Sequence, residues 1–400
     1  MSRGFGAREP RANLAPMTRR AYDSARTGRL AACLLPLALV ACATQANPPT
    51  VEAAAPPSVA ETSAPAPTAA ADGLLPPVPQ PPERPVAPES VTDPAIPREQ
   101  RIANFVDYTV QTYGVSPQRI RDTLARAEYK QNIIDAISRP AEAVRPWRDY
   151  RPIFVNDQRI SGGVRFYREH RDALERVAAE TGVPAEYIVS IIGVETSYGR
   201  ITGNFRVVDA LYTLAFDFPR RAPFFAGELA QLFALIEEEP QLDVMALKGS
   251  YAGAMGMGQF MPSSYRLWAK DGDGDGRRDL LTHTPDVFAS IANYFVVHGW
   301  ERGAPVVARA DRAPGADEFR PENMEPVHPQ AQLAARGYTP RAGEPVAEGA
   351  TLLTFDGDAG QEYWLGYRNF YVITRYNRSP MYSLAVHQLA QAIRAGVGSP

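Results

Sequence analysis

Apolar residues recur every three or four positions along most of the chain after residue 97, which is the spacing of helices with one buried face. The pattern predicts helices over residues 97–106, 116–132, 163–181, 184–198, 222–238, 263–270, 286–298 and 383–394. Residues 141–154 show no such period and are predicted to be irregular. Short runs rich in β-branched and aromatic residues predict strands over 306–308, 351–355, 363–367 and 370–374, the last two paired across Arg368-Asn369. The predicted fold class is therefore mainly α (α+β), with a β-containing insertion at about 301–374.

Residues 1–41 have the composition of a secretory signal. They carry seven Arg and two acidic residues and end in an apolar stretch, Leu30 to Ala41, that is too short to span a bilayer stably. The stretch runs into Leu39-Val40-Ala41-Cys42, which resembles the lipobox of bacterial lipoproteins, where the cysteine is lipidated and becomes the first residue. An ordinary signal peptide cleaved at Ala41 or Ala43 is the alternative, and Met17 is an alternative start.

Residues 42–97 are predicted to be a disordered tether. From residue 43 to 97 the segment holds 15 of the 37 prolines and no aromatic residue, so it cannot build a core and favours an extended chain. Without residues 1–41, 35 basic and 43 acidic residues remain, a net charge of −8. This charge argues against nucleic acid or an anionic membrane surface as the main partner, and leaves membrane attachment to the lipid anchor. The folded body is predicted over residues 98–400.

Glu195 is the candidate catalytic acid. It lies three and four residues after Ile192 and Ile191, on the apolar face of the predicted helix. A carboxyl group at the end of a buried stripe is desolvated, which raises its pKa and keeps it protonated near neutral pH, as a general acid requires. A helix-terminal Glu that faces solvent fits the same spacing, and the helix pattern alone leaves both interpretations open.

Five blocks of sequence follow in order: Gly193-Val194-Glu195-Thr196-Ser197-Tyr198-Gly199-Arg200, Phe218-Pro219-Arg220-Arg221-Ala222, Gly249-Ser250-Tyr251-Ala252-Gly253-Ala254-Met255-Gly256, Gln259-Phe260-Met261-Pro262-Ser263-Ser264 and Arg375-Tyr376-Asn377-Arg378-Ser379. Together with matches over essentially all of residues 98–396, they resemble the lytic murein transglycosylase B family. The glycines between Gly249 and Gly258 also suggest a phosphate-binding loop, but no Gly-Lys-Ser/Thr follows them.

The resemblance implies a lysozyme-like core that cleaves the β-1,4 bond between N-acetylmuramic acid and N-acetylglucosamine in peptidoglycan. One Glu protonates the leaving oxygen and then, as a carboxylate, deprotonates the muramoyl 6-hydroxyl, which attacks its own C1 and leaves a 1,6-anhydro end. No cofactor is needed for this chemistry. An internal nucleophile reaches an effective molarity on the order of 10⁵ M, so it competes with water.

The resemblance also assigns supporting roles to particular residues. Ser250 matches a serine that positions the muramoyl N-acetyl group, and Gln259 matches a sugar-contacting glutamine. The other substrate-binding residues that it implies are the tyrosines Tyr150, Tyr294, Tyr376 and Tyr382, the polar Asn377, and the basic pair Arg220 and Arg221 near acidic peptide or lactyl groups. Each has a plainer explanation, since tyrosines are common in cores and at rims and such arginines also face solvent.

Residues 271–282 form a candidate calcium loop. Asp271, Asp273, Asp275 and Asp279 follow the D-x-D-x-D-G-x-x-D register of an EF-hand, and Arg277 would contribute its backbone carbonyl. Position twelve is Thr282 instead of the usual bidentate Glu, and the resemblance offers Asp286 for that part, with a spacing about one residue longer. The predicted ion is a structural Ca²⁺, and the alternative is a solvated acidic turn.

Two other functions compete with the transglycosylase. A hydrolytic muramidase would need a second carboxylate such as Asp209 or Asp217 to activate water, and a peptidoglycan-binding lipoprotein would keep the groove without turnover. The lipobox and the family together predict an enzyme on the periplasmic face of the outer membrane of a Gram-negative bacterium, with glycan strands as its partner.

Overall fold

Helices form most of the body, which is described here from a computed structural model over residues 73–81, 84, 86–138 and 145–398. The predicted signal segment, Cys42 and residues 43–72 lie outside the described residues. The helices are α1 (Glu89–Thr92), α2 (Arg98–Tyr113), α3 (Pro117–Leu124), α4 (Gln131–Ser138), α5 (Trp147–Phe154), α6 (Asp157–Glu169), α7 (Arg171–Thr181), α8 (Ala185–Thr196), α9 (Val207–Asp217), α10 (Ala222–Glu238), α11 (Pro262–Trp268), α12 (Thr284–Val297), α13 (Gln330–Ala335), α14 (Arg368–Tyr376) and α15 (Pro380–Val397).

Strands occur at two places. A two-residue pair, β1 (Phe205–Arg206) and β2 (Lys248–Gly249), joins the end of α8 to the loop before α11. The insertion between α12 and α14 holds a five-stranded antiparallel sheet in the order β4-β6-β7-β3-β5. Its strands are β3 (Val307–Arg312), β4 (His328–Pro329), β5 (Tyr338–Pro340), β6 (Gly349–Gly357) and β7 (Gly360–Gly366).

Helix α8 is the centre of the main core. Every residue from Ala185 to Thr196 except the half-exposed Glu186 is buried, so this helix is covered on all sides. It packs against α6, α7, α12 and α15, while α9 and α10 pack against each other. A helix that is apolar all round has no solvent face, and any polar side chain on it is therefore desolvated.

The insertion has a small core of its own, built from alternate strand positions and α13. Its members are Ala308, Ala310, Leu333, Tyr338, Ala350, Leu352, Leu365 and Tyr367. Other residues of the same sheet, such as Phe355 and Trp364, belong to the main core instead. The sheet therefore packs against the helical body, where Trp147 contacts Phe355 at 5.5 Å between ring centroids.

Four predicted elements differ from the structure. The predicted helix 116–132 ends at Leu124 as α3, and the non-helical residues 125–130 separate it from α4. Residues 147–154 are helix α5 and not irregular, because Trp147 and Phe154 are buried and hold a short helix that contains Pro152. The predicted helix 163–181 is two helices that meet at His170, whose ψ of 21° interrupts the first. Residues 370–374 belong to helix α14, since a short buried apolar run fits either a strand or a helix.

The predicted pairing of residues 363–367 with 370–374 is accordingly wrong. Strand β7 pairs instead with β6, in the register Leu352 to Leu365 and Leu353 to Trp364, and with β3 on its other edge. The predicted tether also ends earlier than residue 97, because Val78, Ala87 and Val91 are buried and residues 89–92 form α1.

Among the described residues, no single helix is both long enough and apolar enough to cross a membrane. Helices α7 and α8 taken together have the length and composition of a membrane span, but they are bent by 115° relative to each other.

Candidate active site

Glu195 lies in the last turn of α8 with only 7% of its surface exposed. Its Oε1 accepts a hydrogen bond of 2.6 Å from the hydroxyl of Tyr382, in the first turn of α15. The solvent-facing alternative is therefore wrong for this side chain, because the apolar surround of α8 extends to its final residues.

A strained turn follows Glu195 at the end of α8. Ser197 and Tyr198 have φ angles of 53° and 65°, in the left-handed region that side chains other than glycine rarely adopt, and Gly199 follows at 78°. The Tyr198 hydroxyl donates 2.6 Å to the carbonyl of Arg159. A Cβ at Gly193 would lie 2.7 Å from the Tyr198 oxygen, so the missing side chain leaves room for this ring.

Burial raises the pKa of Glu195 from 4.5 to about 7, while the Tyr382 hydrogen bond and the charge of Arg159 act in the opposite direction. The desolvation cost outweighs both because a carboxylate inside an apolar surround loses its water shell. At neutral pH the site thus holds a substantial fraction of protonated acid, which is the condition for general acid catalysis.

Tyrosine rings surround the carboxyl group. Burial raises the pKa of Tyr150, Tyr376 and Tyr382, and the charge of Glu195 adds to the rise in all three. The structure therefore brings these three predicted residues together around Glu195. Tyr294 lies one ring further out, 4.8 Å from Tyr376 between centroids, and its hydroxyl donates 2.6 Å to the carbonyl of Arg375.

The loop between β2 and α11 is tied to the end of α8. The Thr196 hydroxyl donates 3.0 Å to the carbonyl of Met257, and the Tyr376 hydroxyl donates 2.5 Å to that of Gly258. Gln259 follows with φ 52°, and its side-chain amide donates to the carbonyls of Thr202 and Gly256. The loop is thereby held against the catalytic helix.

Ser250 begins the same loop. Its hydroxyl oxygen accepts from the backbone N–H of Ala254 at 3.0 Å and of Ala252 at 3.3 Å. Both contacts use the oxygen as an acceptor, so the hydroxyl proton remains available to donate.

Asn377 and the basic pair occupy different parts of the surroundings. Asn377 is buried next to Tyr376, and its Oδ1 has no hydrogen-bond partner within the described residues. Arg220 is exposed in the 3-10 turn Pro219–Arg221. Arg221 lies over the rings of Phe224 and Phe225 and influences the pKa of Tyr251, the neighbour of Ser250.

Asp209 and Asp217, the two carboxylates considered for a hydrolytic mechanism, are each paired with an arginine. Asp209 forms a bidentate ion pair with Arg206 at 2.7 and 2.8 Å and accepts from the backbone of Glu128. Asp217 pairs with Arg98. Among the described residues, Arg159 is the charged group that contributes to the pKa of Glu195, and neither Asp209 nor Asp217 contributes to it.

Arg159 is a site residue that the sequence did not indicate. It lies on α6, where its guanidinium donates to the carbonyl of Gly193, and its own pKa is lowered by burial. No residue of the family blocks stands near it in sequence, so only the packing of α6 on α8 could reveal it.

The acidic loop has three carboxylates in position to bind one cation. Oxygens of Asp271, Asp273 and Asp275 lie within 4.8 Å of one another. Asp271 accepts from the backbone N–H groups of Gly274 and Gly276, hydrogen bonds that lower its pKa and keep it ionised. Convergent carboxylate oxygens fit a hard cation such as Ca²⁺.

Ligand atoms of Asp273, His283 and Asp286 also lie within 4.8 Å of one another. Both oxygens of Asp286 accept backbone hydrogen bonds of 2.7 Å, from Gly272 and Asp279, so this side chain braces the two ends of the loop. Asp279 accepts from the backbone of Leu281 and Thr282. The loop places His283 2.9 Å from Asp273, a neighbour that the sequence pattern did not suggest.

Comparison with known proteins identifies the family. The family described as the transglycosylase SLT domain matches residues 97–391. The chain is 42% identical over 299 residues to the membrane-bound lytic murein transglycosylase B of Escherichia coli K12, covering 72% of this chain and 81% of the relative. The chain belongs to the transglycosylase SLT family. The predicted family resemblance is thereby confirmed.

Solved structures of the SLT family have the same fold. SltB1 from Pseudomonas aeruginosa matches with a TM-score of 0.71 and 47% identity over 74% of this chain and 98% of that chain. E. coli Slt35 in complex with calcium matches with a TM-score of 0.67 and 39% identity, over 74% of this chain and 93% of that chain. SltB3 from P. aeruginosa in complex with NAG-anhNAM-pentapeptide matches with a TM-score of 0.64 and 29% identity, over 74% of this chain and 79% of that chain. The predicted mainly α, lysozyme-like fold is confirmed.

The burial of Glu195 predicts a pH-dependent stability. Below about pH 4, Glu195 is protonated in both the folded and the unfolded chain, so its burial does not reduce the free energy of unfolding. Between the ordinary pKa of 4.5 and the folded value of about 7, the unfolded chain ionises first, and the free energy of unfolding therefore falls as the pH rises. Glu195→Gln should therefore raise the free energy of unfolding by about 3 kcal/mol above pH 7 and by little near pH 4.

Denaturant unfolding at several pH values measures this difference. Glu186→Gln, in the first turn of the same helix and half-exposed, is the matched control and should show no such pH-dependent gain. A Glu195→Gln protein no more stable than the wild type at high pH would contradict the buried, raised-pKa carboxyl group.

The acidic loop predicts stabilisation by calcium. At a free Ca²⁺ concentration about 100 times the dissociation constant, the free energy of unfolding should rise by about 2.7 kcal/mol, because only the folded loop binds. Asp273→Asn should remove most of this rise, whereas Asp311→Asn, on strand β3 of the insertion, should keep it. Thermal unfolding with and without chelator is the measurement, and an equal calcium response in both variants would rule out the loop as the site.

Proposed function

We propose that this chain is a peptidoglycan lytic transglycosylase that uses Glu195 as its single acid and base. It cleaves the β-1,4 bond between N-acetylmuramic acid and N-acetylglucosamine and leaves a 1,6-anhydromuramoyl end. Membership of the SLT family supports the activity, and the named relatives are lytic transglycosylases. SltB3 binds a NAG-anhNAM-pentapeptide, which carries such an anhydro end.

The observation that carries the proposal is one buried carboxyl group with a pKa of about 7, to which no second carboxylate of the described residues contributes. In the first step, protonated Glu195 gives its proton to the glycosidic oxygen as the bond from C1 to that oxygen breaks. In the second step, the Glu195 carboxylate takes the proton of the C6 hydroxyl as O6 bonds to C1. The acid is regenerated and no water is consumed, so one carboxyl group suffices.

A pKa near the working pH serves both steps. A group with the ordinary Glu value would be ionised and unable to donate, while a much higher value would make its carboxylate form too scarce at neutral pH. The Tyr382 hydroxyl stabilises the carboxylate that exists between the two steps and lowers the pKa against the effect of burial.

The residues around the carboxyl group are proposed to position the substrate. The free hydroxyl proton of Ser250 suits the carbonyl of the muramoyl N-acetyl group, and the unpaired Oδ1 of Asn377 suits a sugar hydroxyl or amide donor. Gln259 is held by two backbone contacts at the loop edge. The remaining proposed substrate contacts are Tyr150, Tyr294, Tyr376 and Tyr382 for the sugar subsites, and Arg220 and Arg221 for acidic groups.

Membrane attachment is proposed to come from Cys42. The E. coli relative is described as membrane-bound, and the lipobox offers a lipidated cysteine as the means. The proline-rich residues after it would let the body reach glycan strands from the periplasmic face of the outer membrane. The calcium loop, formed by Asp271, Asp273 and Asp275 with the support of Arg277, Asp279 and Asp286, is proposed to be structural, in line with the calcium complex of Slt35.

Digestion of purified sacculi by the full chain in detergent tests the activity and its acid. Wild type should release muropeptides lighter by one water than hydrolysis products, detected by mass spectrometry. Glu195→Gln should lower turnover by several orders of magnitude, because Gln cannot donate a proton, while Glu186→Gln should retain it.

Two results would contradict the proposal. Reducing-end products would identify a hydrolase and call for a second carboxylate. Activity of Glu195→Gln within about tenfold of wild type, a barrier change of only about 1.4 kcal/mol, would exclude Glu195 as the acid.

A further inference from the structure

A segment before the catalytic body crosses its surface. We call residues 74–92 the N-terminal strap, of which 74–81, 84 and 86–92 are described. Near its start the backbone N–H of Leu75 donates 2.7 Å to the carbonyl of Val327 in the insertion. Near its end the N–H of Ala87 donates 2.9 Å to the carbonyl of Pro223 at the start of α10. The strap therefore bridges the insertion and the helical body.

The strap is fixed to the body by buried residues as well. Val78, Ala87 and Val91 are 5%, 4% and 0% exposed, and the Gln80 amide donates 3.0 Å to the Tyr371 hydroxyl on α14. The four strap residues Val78, Gln80, Ala87 and Val91 precede residue 97, where the match to the family begins. The strap is thus a feature of this chain that the family match does not cover.

Arg84 is the charged residue that the strap carries into the helical body. Its guanidinium lies over the ring of Trp268, 5.4 Å from the centroid, and interacts with the Tyr294 hydroxyl. Its side chain remains 28% exposed. The rings of Trp268 and Tyr294 are in edge contact, with 4.9 Å between their centroids, and Tyr294 in turn contacts Tyr376. The charge of Glu195 contributes to the raised pKa of Tyr376. A continuous row of rings leads from Arg84 to the catalytic acid.

Glu228 forms an ion pair with Arg84 but no direct hydrogen bond. The carboxylate is 3.8 Å from the guanidinium, beyond hydrogen-bond distance. Its two oxygens are already bonded to Ser263, one to the N–H at 2.9 Å and the other to the hydroxyl at 2.6 Å. The Arg84 guanidinium therefore keeps donors for another acceptor.

Positive charge accumulates around this end of the ring row. Arg84, Arg375 and Arg378 all influence the pKa of Tyr294, and Arg84 and Arg378 also influence that of Arg221. Within the described part of the chain, Arg221, Arg375 and Arg378 form no ion pair with a carboxylate. The buried Glu228 can offset at most one of the four charges, so the region favours an anionic ligand.

We propose that Arg84 is a specificity-determining residue that, together with the neighbouring arginines, recognises carboxylates of the acidic stem peptide on the muramoyl sugar. The inference rests on the proposed function, because the acidic stem peptide is carried by the muramoyl sugar of that substrate. Guanidinium groups bind carboxylates through directed, charge-assisted hydrogen bonds, which suits a peptide substrate better than a neutral sugar.

Kinetics on two substrates test this role with the full chain. The substrates are glycan strands that retain their stem peptides and the same strands after an amidase has removed the peptides. Arg84→Gln should raise the ratio of KM for peptide-bearing strands to KM for stripped strands by about tenfold. Arg84→Lys, which keeps the positive charge, should bring the KM ratio part of the way back to the wild-type value. Arg320→Gln is the control and should leave the ratio at its wild-type value, because the Arg320 side chain is 82% exposed and pairs with Glu318.

Other outcomes separate the explanations. An equal change on both substrates, or none, would overturn the peptide role and leave Arg84 as a structural anchor. A lower KM for peptide-bearing strands in Arg84→Gln would overturn it too, and would indicate that the strap obstructs the cleft. Wild type that releases no anhydro ends from either substrate would instead refute the proposed function on which the inference rests.

Discussion

The site depends on the burial of one carboxyl group at the end of a helix that has no solvent face. Helix α8 is enclosed by α6, α7, α12 and α15, and Glu195 lies in its last turn, where that enclosure ends. Desolvation raises the pKa of the group to about 7. The left-handed turn at Ser197 and Tyr198 then keeps the side chain at this boundary, because the Tyr198 ring fills the space left by Gly193.

The same constraint explains why one acid can serve two steps. Glu195 is influenced by Arg159 and by the Tyr382 hydroxyl, and not by Asp209 or Asp217, which are held in ion pairs with Arg206 and Arg98. A protonated group without a carboxylate partner can donate but cannot rely on a second base to activate water. An internal hydroxyl nucleophile removes the need for that base, since it is already positioned at the reacting carbon.

The sequence predicted the main helices and the tyrosines near Glu195 because periodicity and motif blocks are local in the chain. It did not predict α5, since the burial of Trp147 and Phe154 overrides an unfavourable Pro152. It assigned residues 370–374 to a strand because an apolar run of five residues carries no period. Arg159 lies far from the motifs in sequence and reaches the end of α8 only through packing, so no local pattern could have revealed it. The same holds for the contact of Arg84 with Trp268.

Direct titration of Glu195 tests the central claim. Infrared difference spectra between wild type and Glu195→Gln, recorded across pH, isolate the C=O band of this protonated carboxyl group. The account predicts that the band disappears with a midpoint near 7. A midpoint near the ordinary value of 4.5 would contradict it, because the group would then be ionised at neutral pH and unable to act as the acid.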